Sequence, residues 1–395
     1  MEGFNIVDGR KQFGSMILYN ELLFFISCKD IFPALYKANL HTNEVECLGE
    51  VPWEDNLDEN CLMEKIGNMI IIAPRWHKHK FLKYDIERSV FQIVLLDQEL
   101  WINDFSVSAF SNVVRLKESL FFIGNRNGVI VEYQKSMDQF YIHNLILPGG
   151  LNREELSFFW NSAILVEGIL YLPIEKGGLI KVDLENYTTN YIEFANNYKP
   201  FSMNYIEGDL WIVPYYGNEV MLYNIKLNTY SLVKIPIKKE KTPFMTAIDM
   251  GREVLLMPMF KGNVFSINKS DYIISDKKDF RLEVLGKDEG QRQFLTIYRD
   301  EGGNTYLQKS GNYELWKFNK ETIFEKHSFF IPFGNIQKIF EGSKAAKRKL
   351  WFENASVSFD FFLYCIKKDE GIEKVINCNH GSDIWKLLIK KGDER

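Results

Sequence analysis

The side chains best suited to chemistry are a histidine pair, a scatter of carboxylates, and cations mixed with aromatics. His77 and His79 stand one residue apart, and two such imidazoles can share a metal when a third ligand arrives from elsewhere. The remaining histidines, His41, His143, His327 and His380, fall mostly at turns or outer strands, so no metal is expected. Glu54, Asp55, Asp58, Glu59, Asp97, Glu99, Asp104, Glu154 and Glu155 could pair as general acid and base at a glycosidic bond. Their spacing does not recur, which is the habit of solvated surface carboxylates. The run Lys344, Lys347, Arg348 and Lys349 lacks the interleaved aromatics that stack on bases. A glycine-rich phosphate loop, a Ser-His-Asp order and a CxxC pair are absent from the sequence. No cofactor is expected.

Cations and aromatics concentrate in a set of polar segments that return along the chain. They supply Arg75, Trp76, His77, His79, Arg126, Glu175, Lys176, Tyr215, Tyr216, Phe260 and Lys261. Rings beside cations can stack on and pair with a peptide, a sugar or an anionic group. These eleven residues form the candidate ligand-binding set. The longer connections add Trp53, Trp101, Phe105, Phe159, Trp160 and Phe201, as a mouth cover or as packing.

The elements that must hold these segments are strands. Short runs of Ile, Leu, Val, Phe and Tyr alternate with polar turns, and helix-like periods are few. One phrase recurs: an apolar strand, a loop, a second strand closed by Asp or Asn, a turn, and a third strand. The closing residues are Asn39, Asp85, Gln134, Asp183, Asn224, Asn268 and Asn319, roughly 41 to 51 residues apart. A core marker precedes each by about 14 to 16 residues, at Leu23, Ile70, Leu120, Ile169, Leu210, Val254 and Thr305. Phe13, Phe110, Phe159, Phe201, Phe244 and Phe294 sit about ten residues earlier still and open a further strand. Short Asp and Asn side chains bond their own backbone and so stabilise turns. The closing residues are therefore expected as turn formers, not as catalytic acids.

Four strands per unit, repeated seven times over residues 1–332, predict an all-β, seven-bladed β-propeller, with six blades as the alternative. Closure into a ring removes the unpaired edges that an open stack would expose. The segment at residues 4–7 is a candidate to complete the last blade. In such a ring the loops between second and third strands share one face with the connections between blades. That loop-rich face is the default pocket. The chain resembles kelch-like β-propellers over about four-fifths of its length, on fragments such as Gly177-Gly178, Gly302-Gly303, Trp211 and Trp316. The resemblance implies the superfold and no particular function.

Residues 333–395 change character. Phe359, Phe362, Leu363 and Ile366 share one helical face, as do Ile384, Leu387 and Leu388, with Ser382 as an N-cap. A C-terminal helical extension packed on the propeller is expected. The formal net charge of −5 supplies no field to draw nucleic acid or anionic membrane. No apolar run approaches the roughly 20 residues of a membrane span. The five cysteines lack disulfide or zinc spacing, and the first residues lack the order of a secretory signal, so a cytoplasmic protein is expected. The expected function is a binding or scaffold propeller for a peptide, protein or saccharide, as an accessory subunit of an enzyme. The competing expectation is a propeller hydrolase or lyase of glycans or peptides, with acids or histidines at the channel mouth.

Overall fold

Strands joined by tight turns pair with their sequence neighbours, because closing a short loop costs little entropy. The computed structural model follows that rule within every blade. It describes residues 12–28, 34–52, 61–73, 80–96, 110–125, 128–148, 151–152, 156–159, 162–195, 198–241, 243–260, 262–277, 294–300, 302–309, 314–320 and 325–329. Seven four-stranded antiparallel sheets follow one another, each with its strands in sequence order. They occupy residues 12–50, 62–95, 110–144, 164–192, 200–234, 244–276 and 294–328, here blades 1 to 7. Blade 5 is representative, with strands Pro200–Ile206, Asp209–Pro214, Glu219–Asn224 and Thr229–Lys234. The first strands of neighbouring blades approach one another and so surround the axis. Fourth strands such as Val90–Leu95 and Thr229–Lys234 are largely exposed and form the outer rim. The architecture is a seven-bladed β-propeller, which settles the blade number.

The core lies between blades. Phe81 of blade 2 meets Phe110 and Phe122 of blade 3 edge-on, with centroids 5.2 Å apart in both pairs. Comparable clusters join blades 3 and 4, 4 and 5, 5 and 6, and 6 and 7. Each blade thus buries one face against its predecessor and the other against its successor, which no single blade could do alone. The ring closes where Tyr298 Oη of blade 7 donates to the Leu18 carbonyl of blade 1 at 3.3 Å. A second tie runs from His327 Nδ1 to the Leu40 carbonyl at 3.0 Å. Blade 7 draws its four strands from one continuous run, and residues 4–7 lie outside the described residues. So does the expected helical extension at 333–395.

The two recurring series hold up, with one shift. Oδ1 of Asn39, Asp85, Asp183, Asn224 and Asn268 accepts a backbone N–H two or three residues on, which makes each a turn former. Four residues after six of the seven closing residues the chain turns left-handed, at Asn43, Ser89, Asp138, Tyr187, Asn228 and Tyr272, with φ between 50° and 58°. The core markers lie on second strands, but blade 4 is displaced by one. There Leu170, not Ile169, is fully buried and pairs with Leu165 as Leu210 pairs with Tyr205. The extra residue escapes a sequence count because Glu167-Gly168 closes a hairpin whose strand starts at Ile164, five residues beyond Phe159.

Candidate functional site

On one face of the ring the loops and the inter-blade connections are stitched together by backbone hydrogen bonds. Glu175 N donates to Ser157 O at 2.8 Å, Tyr215 N to Lys199 O at 2.7 Å, and Met259 N to Pro243 O at 3.2 Å. In each case a loop between second and third strands meets the connection that enters its own blade. Tyr216–Gly217 adds a short antiparallel pairing with Glu240–Lys241, on the connection leaving blade 5. This is the loop-rich face.

Its best-defined feature is an aromatic ledge across blades 4 to 6. Phe159, Phe201 and Tyr215 converge, with centroids 5.2 Å from Phe159 to each partner and 6.3 Å between Phe201 and Tyr215. Phe159 is 8% exposed and forms the floor, whereas Phe201 and Tyr215 are only partly buried. Lys241 places its ammonium 5.2 Å from the Tyr215 centroid, within cation–π range. Tyr216 stands free at 61% exposure. Phe260, half-buried, packs on the cluster between blades 6 and 7 that Phe201 also touches.

The ledge is held rigidly from below. Tyr198 Oη lies 2.8 Å from the Ile212 carbonyl and 3.1 Å from that of Glu219, pinning the connection under Tyr215. Burial pushes this hydroxyl well above the ordinary tyrosine range, so it stays a neutral donor. Gly178 has φ +81°, and a Cβ there would stand 2.5 Å from the Ile192 carbonyl. The Gly177-Gly178 pair therefore serves the close approach of the blade 4 loop to its own outer strand. That loop presents Glu175 and Lys176 to solvent.

Glu175, Lys176, Tyr215, Tyr216 and Phe260 of the expected set thus share one face. Arg75, Trp76, His77, His79, Arg126 and Lys261 lie outside the described residues, as do the connection carboxylates. Among the described residues no three His, Cys, Asp or Glu side chains converge on a metal position. No described helix is long and apolar enough to cross a membrane. Sequence reasoning missed Lys241 and Tyr198. The clustered lysines at 238, 239 and 241 were a visible signal, but the pairing that folds them onto Tyr216 was not.

No family model and no curated protein matches this chain. Solved structures do. Virginiamycin B lyase from Staphylococcus aureus superposes with a TM-score of 0.57 at 10% identity, over 80% of this chain and 97% of that one. YCF48 from Cyanidioschyzon merolae gives 0.57 at 8% identity, over 80% and 99%. The extracellular domain of a protein described as a hybrid two component system, from B. thetaiotaomicron, gives 0.51 at 10%, over 80% and 40%. Similarity at this level defines the class, a seven-bladed β-propeller, and shows the fold alone. A lyase, an extracellular domain and YCF48 share it, so this chain's role has to be argued from its own residues.

Proposed function

We propose that the chain is a binding propeller whose loop-rich face captures an acidic peptide or protein segment on the ledge of blades 4 to 6. One observation carries this reading: Phe159, Phe201 and Tyr215 form a continuous aromatic surface beside an exposed tyrosine, with Lys241 poised over it. Lys176, Lys199, Lys238 and Lys239 are also exposed around it, which favours carboxylate-bearing partners. Tyrosines on a fixed base give large contact area at small entropic cost, the habit of binding hot spots. Both the kelch-like resemblance and the scaffold role fit this reading, in a cytoplasmic setting.

The test is selection of the full chain against a displayed random-peptide library and, in parallel, a glycan array. Acidic peptides carrying an aromatic residue are expected, with a micromolar Kd by calorimetry. Tyr215→Ala with Tyr216→Ala should weaken the selected peptide about tenfold or more. Lys241→Ala should weaken it less and flatten its dependence on salt. Binding that survives all three changes, or ligands found on the glycan array alone, would overturn the peptide reading.

A further inference from the structure

The inner wall carries charged groups that take no part in the ledge. One level of that wall is fixed by strand register. Leu18, Lys65, Arg115, Leu165, Tyr205, Asp249 and Arg299 each pair with the second residue series already described, one per blade. Three cations and one acid therefore stand at the same height around the axis. The acid is spoken for: Asp249 is held by Lys269 at 3.0 Å and by Lys320 at 3.2 Å.

Arg299 is the exception among these charges. Its Nη2 donates to Thr246 Oγ1 of blade 6 at 2.8 Å, and Thr246 is 0% exposed. Its Nε is buried and has no partner. The adjacent Asp300 faces away, accepting instead from Asn304 and from Tyr306 Oη at 3.2 Å. Among the described residues no carboxylate pairs with the guanidinium, and desolvation depresses its pKa to about 10. A desolvated cation with an idle N–H is costly unless a ligand or water completes it. One blade further on, Ser202 holds the position equivalent to Thr246, three residues ahead of Tyr205 as Thr246 is ahead of Asp249. Its hydroxyl is also buried without a partner. Two orphaned donors thus lie on the same arc of inner wall, in blades 5 and 7, with Thr246 between them.

We infer that Arg299, positioned by Thr246, is an oxyanion site on the inner wall, receiving a carboxylate or phosphate group of a small ligand. The guanidinium fork suits either group, and the one described acid at that level, Asp249, is engaged by Lys269 and Lys320. Because it lies on the strands rather than on the loops, this site is distinct from the ledge.

The test uses the full chain at constant ionic strength, titrated with sodium phosphate, sodium succinate or sodium chloride and read by thermal melting and calorimetry. Phosphate or succinate should raise Tm saturably above the chloride baseline, and the stronger arm names the chemistry. Arg299→Gln should weaken that ligand at least tenfold, and Arg299→Lys should weaken it less. Tyr215→Ala should leave the response unchanged, which separates this site from the ledge. Should Arg299→Gln fail to fold, Thr246→Val decides, since freeing Nη2 should weaken the ligand several-fold. Equal behaviour of all three salts, or an unchanged midpoint in Arg299→Gln or Thr246→Val, would overturn the site.

Discussion

The two faces of the ring are built on opposite terms. On the loop face, rings and lysines stand over a hydrogen-bonded base with their outer surfaces unfilled, as at Tyr216 and Lys241. On the turn face, charged groups are spent on one another across blade boundaries. Lys83 of blade 2 meets Asp138 of blade 3 at 2.6 Å. Glu132 of blade 3 accepts from Ser119, Gln134, His143 and, across the boundary, Tyr187 of blade 4, at 2.7 to 3.0 Å. Lys269 of blade 6 reaches Glu207 of blade 5, and Lys320 of blade 7 reaches Asp249 of blade 6. One face is stabilised by its polar side chains. The other leaves Tyr216 and Lys241 exposed above its hydrogen-bonded base, so similar residue types are used differently on the two sides.

That contrast can be broken by substitution, starting where the effect is largest. Glu132→Ala should cost about 2–4 kcal/mol in urea unfolding, because four donors lose one acceptor that is 8% exposed. Asp138→Ala should cost about 1 kcal/mol, less because that carboxylate is 63% exposed and screened. Burial opposes both ionisations, yet the hydrogen bonds prevail and hold Glu132 and Asp138 below the ordinary carboxylate range. Their stabilisation is therefore complete above about pH 4.5 and is lost as pH falls through the depressed values. Acid unfolding of either variant should be correspondingly shallower than that of the native chain.

His327 sharpens the comparison at the closing seam. Its pKa is lowered, first by burial, against the opposing Leu40 carbonyl and Glu325. The unfolded chain then binds the proton more readily, so the seam should weaken as pH falls below about 6.5. His327→Asn should remove that slope in melting curves between about pH 5 and 7. The smallest effect belongs to the loop face: Tyr216→Ala should change stability by less than about 0.5 kcal/mol while still weakening the selected peptide.

Much of the ring was legible because turn chemistry repeats. Asn39, Asp85, Asp183, Asn224 and Asn268 announce themselves by residue type, and the strand pairs follow from their spacing. Gln134 breaks the type and yet keeps the place, since Asp138 still turns left-handed four residues on. What the sequence could not display is contact between repeats. Glu132 and Tyr187 lie 55 residues apart, and Arg299 and Thr246 lie 53 apart. A period fixes that such residues share a boundary without fixing which pairs touch. The ledge was half visible for the same reason: Tyr215 and Tyr216 stand out in a loop, whereas Lys241 joins them only through a pairing between two connections.

The left-handed residue in the outer turn of six blades also offers a lever for engineering. L-amino acids resist that backbone geometry by about 1–2 kcal/mol, and glycine does not. Ser89→Gly and Tyr272→Gly would relieve it at two sites remote from the ledge and from Arg299, with a more flexible unfolded chain as the partial offset. Tyr187 should be spared, because its hydroxyl serves Glu132. Repeat architecture turns one local remedy into several equivalent ones, so hardier variants can be assembled turn by turn without redesigning the loop face.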